Sequence, residues 1–417
     1  MKPRNDFQGP PLFSYGFRPF FLFSCIFACG VIPLWWLVWR GYVTLGGYFV
    51  PADWHIHEMV FGYGAAVVAG FLFTAVPNWT GRMPTRGWPL ALLLMLWLAG
   101  RVAVAGLVPF AAPWVLGIDQ MFLLVVATMI AREIVAGRNW KNLKVLVPVS
   151  LLWGANVLFH IEALTDGVAD TGRRLGIALL IFLIILIGGR IVPSFTRNWL
   201  AQRGATRLPV AFNRFDGVCI ISGLAALLSW TVAPFDLVSV FTGGAAAILH
   251  LCRLVRWRGQ NTWRSPLLLM LHIAYLMVPL GFATIAAGAL GIAEPAVTAH
   301  VFGIGAVAGM TLAVMMRATM GHTGRPLVAG RALSLAFAMI CAAMLARVAG
   351  QEFGIGNLDG IDLSTMFWAV GFGIFLWRTG LWMTRPKIGR KPVSNVAARV
   401  GVDEVLISRY SKRHRSS

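Results

Sequence analysis

Charge is scarce in this chain, and acid is scarcer: 12% of 417 residues are charged, with 16 Asp and Glu against 36 Lys and Arg. With 58% hydrophobic residues, that excludes a soluble globular class. Common signatures of hydrolysis and nucleotide use are also missing. There is no carboxylate pair, nucleophile elbow, phosphate-binding loop or CxxC motif, so hydrolytic and nucleotide-driven activities are poor readings. Cysteine is too sparse for a disulfide framework. Cys25, Cys29, Cys219, Cys252 and Cys341 are odd in number and fall in or beside apolar runs, where a thiol acts as a small hydrophobe. The first apolar run is too long for a signal-peptide core and lacks a convincing cleavage site, so it reads as a helix.

What is present is a succession of apolar runs of about 20 residues, the length that crosses a bilayer. They predict an all-α polytopic membrane protein of twelve helices, over residues 17–39, 57–77, 88–110, 114–134, 145–164, 175–193, 218–233, 237–255, 266–290, 296–316, 333–349 and 363–382. Residues 1–16 would be an N-terminal cytoplasmic tail, 17–383 the membrane domain and 384–417 a basic cytoplasmic tail. The net charge of +20 sorts by side. With both termini inside, 31 of the 36 Lys and Arg fall on the inner side, leaving Arg40, Arg101, Arg173, Arg174 and Arg347 outside. That bias is the positive-inside rule, and it assigns the basic tail to anionic lipid rather than nucleic acid.

Residues 300–325, HVFGIGAVAGMTLAVMMRATMGHTGR, echo residues 57–82, HEMVFGYGAAVVAGFLFTAVPNWTGR. His57 aligns with His300, Gly62 with Gly305 and Thr80-Gly81-Arg82 with Thr323-Gly324-Arg325, among seven identities in 26 positions. Val192-Pro193 and Thr196 weakly echo Val76-Pro77 and Thr80 at a shift of 116. Helices 2, 6 and 10 would then be equivalent, giving three groups of four instead of the six-plus-six repeat of many transporters. Gly305 and Gly309, spaced as GxxxG, read as close helix packing. Asp53 reads as the cap of helix 2, and Met310, Met315, Met316 and Met320 as core packing.

Topology sorts the histidines. His55, His57, His160 and His300 lie at outer helix ends, His250, His272 and His322 toward the inside, and His414 in the tail. A single interfacial histidine is usually just hydrogen-bonded. Four on one side, in a chain with eight, suit a metal or haem site, since neutral imidazole ligates copper and haem iron. His57 and His300 are the principal candidate pair; bis-imidazole haem and a copper with a third histidine both stay open. Because His55 and His57 point about 200° apart on a helix, both can serve one centre only if the helix begins after His55. Arg101 and Asp119, at costly membrane depth, either pair with each other or face an anionic group such as a propionate. His272 is a secondary ligand candidate or a hydrogen-bond partner to a facing helix, and His322 shapes the inner turn or serves as a further inner candidate.

The motifs Trp54-His55-Ile56-His57-Glu58-Met59-Val60-Phe61-Gly62, Val76-Pro77-Asn78-Trp79-Thr80-Gly81, Gly189-Arg190-Ile191-Val192-Pro193-Ser194-Phe195-Thr196 and Gly321-His322-Thr323-Gly324-Arg325-Pro326 together resemble the bacterial NnrS family. The resemblance runs from Phe17-Arg18-Pro19-Phe20 to the last span. It implies a twelve-helix protein of the cytoplasmic membrane that contains haem and copper and is linked to denitrification and resistance to nitric oxide. The resemblance does not say which residue binds which metal; from the residues themselves His57 and His300 are axial candidates, Arg101 and Arg347 propionate candidates, and His55 and His160 copper candidates. Nitric oxide or a related small molecule is the expected ligand, with an electron donor unspecified. A transporter for a small solute or metal ion is the competing class, and a non-catalytic assembly or sensory subunit a third.

Overall fold

The computed structural model describes residues 7–350 and 354–389, so most of the basic tail lies outside the described residues. Among the described residues twelve apolar helices run back and forth. They are α1 (Phe17–Trp39), α2 (Pro51–Thr80), α3 (Trp88–Val104), α4 (Ala112–Ala136), α5 (Leu146–Thr165), α6 (Asp170–Ala201), α7 (Arg214–Val232), α8 (Leu237–Val255), α9 (Pro266–Ala289), α10 (Pro295–His322), α11 (Gly330–Ala349) and α12 (Gly360–Thr384). Eleven are long and apolar enough to span a bilayer; α3, with 17 residues, sits at the lower limit of about 17. Its predicted end at residue 110 moves back to Val104, because Gly106 turns the chain at φ +66°. Among the described residues, sheet is confined to one antiparallel hairpin, Gly354–Ile355 with Leu358–Asp359. The protein is an all-α polytopic membrane protein.

Local chemistry sets the helix ends. Proline occupies the first or second position of α2, α3, α4, α9 and α10, where its missing N–H costs nothing. Reciprocal capping boxes start α7 at Asn213 and Asp216 and α12 at Asp359 and Asp362. Gly81 and Gly324, matched in the repeat, both turn into the left-handed region, at φ +70° and +79°.

The repeat is physical. α2, α6 and α10 each contain a π-helical stretch, at Glu58–Gly64, Ile184–Gly188 and Val301–Ala308; among the described helices no other does. In α2 and α10 the stretch begins one residue after the aligned His57 and His300. Wide turns of this kind misalign backbone carbonyls and often mark functional positions. Side chains meet two of these carbonyls: Trp97 Nε1 donates to Gly62 O at 2.9 Å, and Arg253 Nη1 to Ile185 O at 3.3 Å. Packing follows the same threefold plan. In each group of four the third helix packs on the fourth, and the fourth on the first helix of the next group: α4 on α5, α8 on α9, α12 on α1.

The three matched helices lie deep in the bundle, with 78%, 67% and 67% of their apolar windows buried against 33% for the peripheral α8; α9 shares that depth. Glycine lets α9 and α10 approach. A Cβ on Gly305 would stand 2.8 Å from Met277, and one on Gly281 would stand 2.1 Å from the Phe302 ring. The four methionines of α10 are all buried, as packing requires. Gly281→Ala should therefore destabilise the detergent-solubilised protein by about 1–3 kcal/mol through overpacking. Gly244→Ala, whose Cβ would meet nothing within 4 Å, should have little effect. Equal thermal midpoints for the two variants would contradict this packing.

Candidate functional site

The head of α2 organises the outer half of the protein. The helix starts at Pro51 behind Val50, and Asp53 is not its cap. Instead Asp53 Oδ2 accepts from the Ala169 N–H at 2.8 Å, fastening α2 to the start of α6. Because the helix is already formed at His55, that residue and His57 project about 200° apart and serve different sites.

His57 enters a buried polar cluster with residues of α3, α4 and α5. Arg101 Nη1 donates to Glu58 Oε1 and Nη2 to Asp119 Oδ1. On the other side of that carboxyl, Asp119 Oδ2 lies 3.2 Å from Nε2 of both His57 and His160 and accepts from Asn156 Nδ2 at 2.7 Å. His57 Nδ1 faces Glu58 Oε1 at 3.2 Å, and Nε2 reaches Asn156 Oδ1 at 2.9 Å. From the outer loop, Tyr48 hydroxyl meets His160 Nδ1, while the Phe49 ring covers both imidazoles at 5.0 Å. Burial raises the Tyr48 phenol above its ordinary range, so it stays protonated and donates to Nδ1. His160 then carries its hydrogen on Nε2, toward Asp119.

Two carboxylates and one guanidinium leave this cluster with one net negative charge when both imidazoles are neutral. A metal cation, or a proton on an imidazole, completes the balance. One ligand atom each from His57, Asp119 and His160 lies within 4.8 Å of the others, the only such His, Cys, Asp and Glu group among the described residues. Two imidazoles and a carboxylate suit a divalent transition ion such as copper.

His55 faces the opposite way, into a cavity of about 470 Å³ where α2, α6 and α10 meet. The cavity is also walled by Trp35, Tyr63, Trp230 and Trp368, and His300 and Arg347 line it, with Arg173 and Arg174. Its size falls in the roughly 300–1,000 Å³ range of cofactor and ligand sites. The His55 ring packs on Trp35 at 4.4 Å, and its buried Nδ1 has no hydrogen-bond partner. His300 Nδ1 donates to Ala296 O at 2.6 Å, which leaves Nε2 as the lone-pair nitrogen. His300 and Arg347 stand within electrostatic reach of His55. Arg174 holds Asp170 through two bonds of 2.7 and 2.8 Å, whereas Arg347 Nε is buried without a partner.

The outer histidines thus fall into two groups, His57 with His160 and His55 with His300, crossing the pairing expected from the sequence. The α2 face explains the difference: His57 is turned to the carboxylates and His55 to the cavity. Arg101, a propionate candidate, is committed to Glu58 and Asp119, and its expected pairing with Asp119 is present. Arg347 does line the cavity. On the inner side, His272 Nε2 bonds Thr196 Oγ1 at 2.9 Å across to α6, and His322 packs on Tyr15 and Phe17. His250 bonds Tyr275 and the Cys219 carbonyl. Sequence reasoning missed Tyr48, Arg173 and Arg174. For the two arginines a signal existed: they are two of only five outer cations.

Removing Arg101 leaves two buried carboxylates uncompensated. Arg101→Met should cost about 3–5 kcal/mol, read as a lower thermal midpoint in detergent. An unchanged midpoint would show that the cluster is not held together by this guanidinium.

No curated protein matches the chain. The profile of the family described as NnrS protein matches residues 11–387, which include every element of both histidine groups. The chain belongs to the NnrS family.

Proposed function

We propose that this protein holds a haem and a copper ion near the periplasmic side of a bacterial cytoplasmic membrane and uses them to bind or handle nitric oxide. The observation that carries the reading is the outer cavity: two histidines with uncommitted ring nitrogens line it, together with three of the five outer arginines.

The residues fit the groups. His55 and His300 are the axial candidates, in place of the His57 and His300 pairing; the orphaned His55 Nδ1 and the carbonyl-anchored His300 ring are both compatible with ligation. Arg347, with its unpartnered Nε, would hold a propionate, assisted by Arg173 and Arg174 at the same rim. His57, His160 and Asp119 would hold the copper, with Arg101 and Asn156 orienting Asp119. When bound, haem supplies an iron that takes up nitric oxide and changes oxidation state, and copper supplies a second one-electron centre. The tryptophans and Tyr63 give the cavity apolar walls, and the His300 carbonyl bond fixes the tautomer that offers Nε2. Glu58 and Asp119 hold the charge that a metal would balance.

His55→Ala and His300→Ala should each abolish the haem Soret band of the purified protein and leave copper content unchanged. His160→Ala and Asp119→Asn should do the reverse. Haem retained in both His55→Ala and His300→Ala would overturn the axial assignment. A haem-free protein that drives metal uptake into proteoliposomes would favour the transporter reading.

A further inference from the structure

The inner face carries a feature that the positive-inside rule does not require. That rule asks only for cations at inner helix ends, and some of these have acids: Arg82 is bonded to Glu133 at 2.7 Å, and Arg253 and Arg256 share Asp216 at 3.0 and 3.8 Å. At the inner ends of α10, α11 and α12, Arg325, Arg331 and Arg378 instead converge on one cavity of about 620 Å³ whose lining includes no acidic residue. The guanidiniums of Arg325 and Arg378 both lie over Trp382, at 4.6 and 5.0 Å from the ring centre. Arg18 stands close behind, anchored on the carbonyls of Met383 and Arg385 at 2.9 and 2.7 Å. Burial chiefly, and then the neighbouring Arg378 and Arg385, lowers the Arg325 guanidinium from its ordinary value.

The surroundings are those of a lipid contact. Beside the cavity, Trp377, Val328 and Leu381 point outward with 75%, 70% and 58% of their surface exposed, an apolar strip at the level of the inner leaflet. An indole at the interface, a cluster of planar bidentate donors and an adjoining apolar strip match a phosphodiester with its acyl chains. We propose that this cavity binds the phosphate of an anionic phospholipid from the inner leaflet, with Arg325, Arg331 and Arg378 as its ligands and Trp377, Val328 and Leu381 along the acyl chains.

The test is native mass spectrometry of the purified full-length protein, offered equal amounts of dioleoylphosphatidylglycerol and dioleoylphosphatidylcholine. The phosphatidylglycerol adduct should be retained at least about tenfold over phosphatidylcholine. R325Q/R331Q/R378Q should lose that preference, and R258Q/R264Q, which removes other inner-loop cations, should keep it. Millimolar inorganic phosphate should leave the adduct in place. Equal retention of the two lipids, or a preference that survives the triple substitution, would overturn the proposal. So would displacement by inorganic phosphate, which would identify a free-anion site. Binding that emerges only in D403N/E404Q would mark the chain's own acidic pair as the occupant, and would also overturn it.

Discussion

One buried guanidinium sets the face that α2 presents. Arg101 bridges Glu58 on α2 to Asp119 on α4 from its place on α3, at a depth where an unpaired charge costs several kcal/mol. No part of that triad can rotate away without exposing a charge to hydrocarbon. With Glu58 held, His57 is turned to Asp119 and His160, and His55 must face the other way. The separation of two imidazoles two residues apart into two sites is thus a consequence of one ion-pair network and the helix pitch.

The three matched helices explain where those sites lie. Each of α2, α6 and α10 is long, central and widened by a π-helical stretch, and the outer cavity is the space between their heads. Such a stretch shifts the phase of the helix, so the outer and inner segments of one rod need not present the same face. The inner half of α10 is packed through its four buried methionines, and that of α2 through Ala65, Ala66, Ala69 and Gly70. Cavity and close-packed core can therefore coexist along the same three helices.

Much of this was legible in the sequence. Apolar length and the sorting of Lys and Arg are enforced by the bilayer, so the helices and their direction follow from composition. The matched ends of residues 57–82 and 300–325 located the repeat, and the outer histidines pointed to the side where the buried cluster and the cavity lie. Their grouping was not legible, because it depends on where α2 begins. Pro51 starts the helix six residues before His57 and two before Asp53, so the expected cap became a bond to α6. Tyr48 and Phe49 escaped notice because a loop carries them onto the imidazoles without any periodic signal. Arg101 with Asp119 was foreseeable from cost alone, whereas the part that Glu58 plays in the cluster was not.

The central claim is that an outer cavity with two histidines and three arginines is a haem site. The most direct measurement is the haem and copper content of the detergent-purified wild-type protein, with dithionite-reduced absorption spectra before and after nitric oxide. A histidine-ligated haem whose spectrum shifts on adding nitric oxide, with copper bound to the same chain, is the predicted result. A colourless, copper-free protein that stays so after reconstitution with both would contradict it.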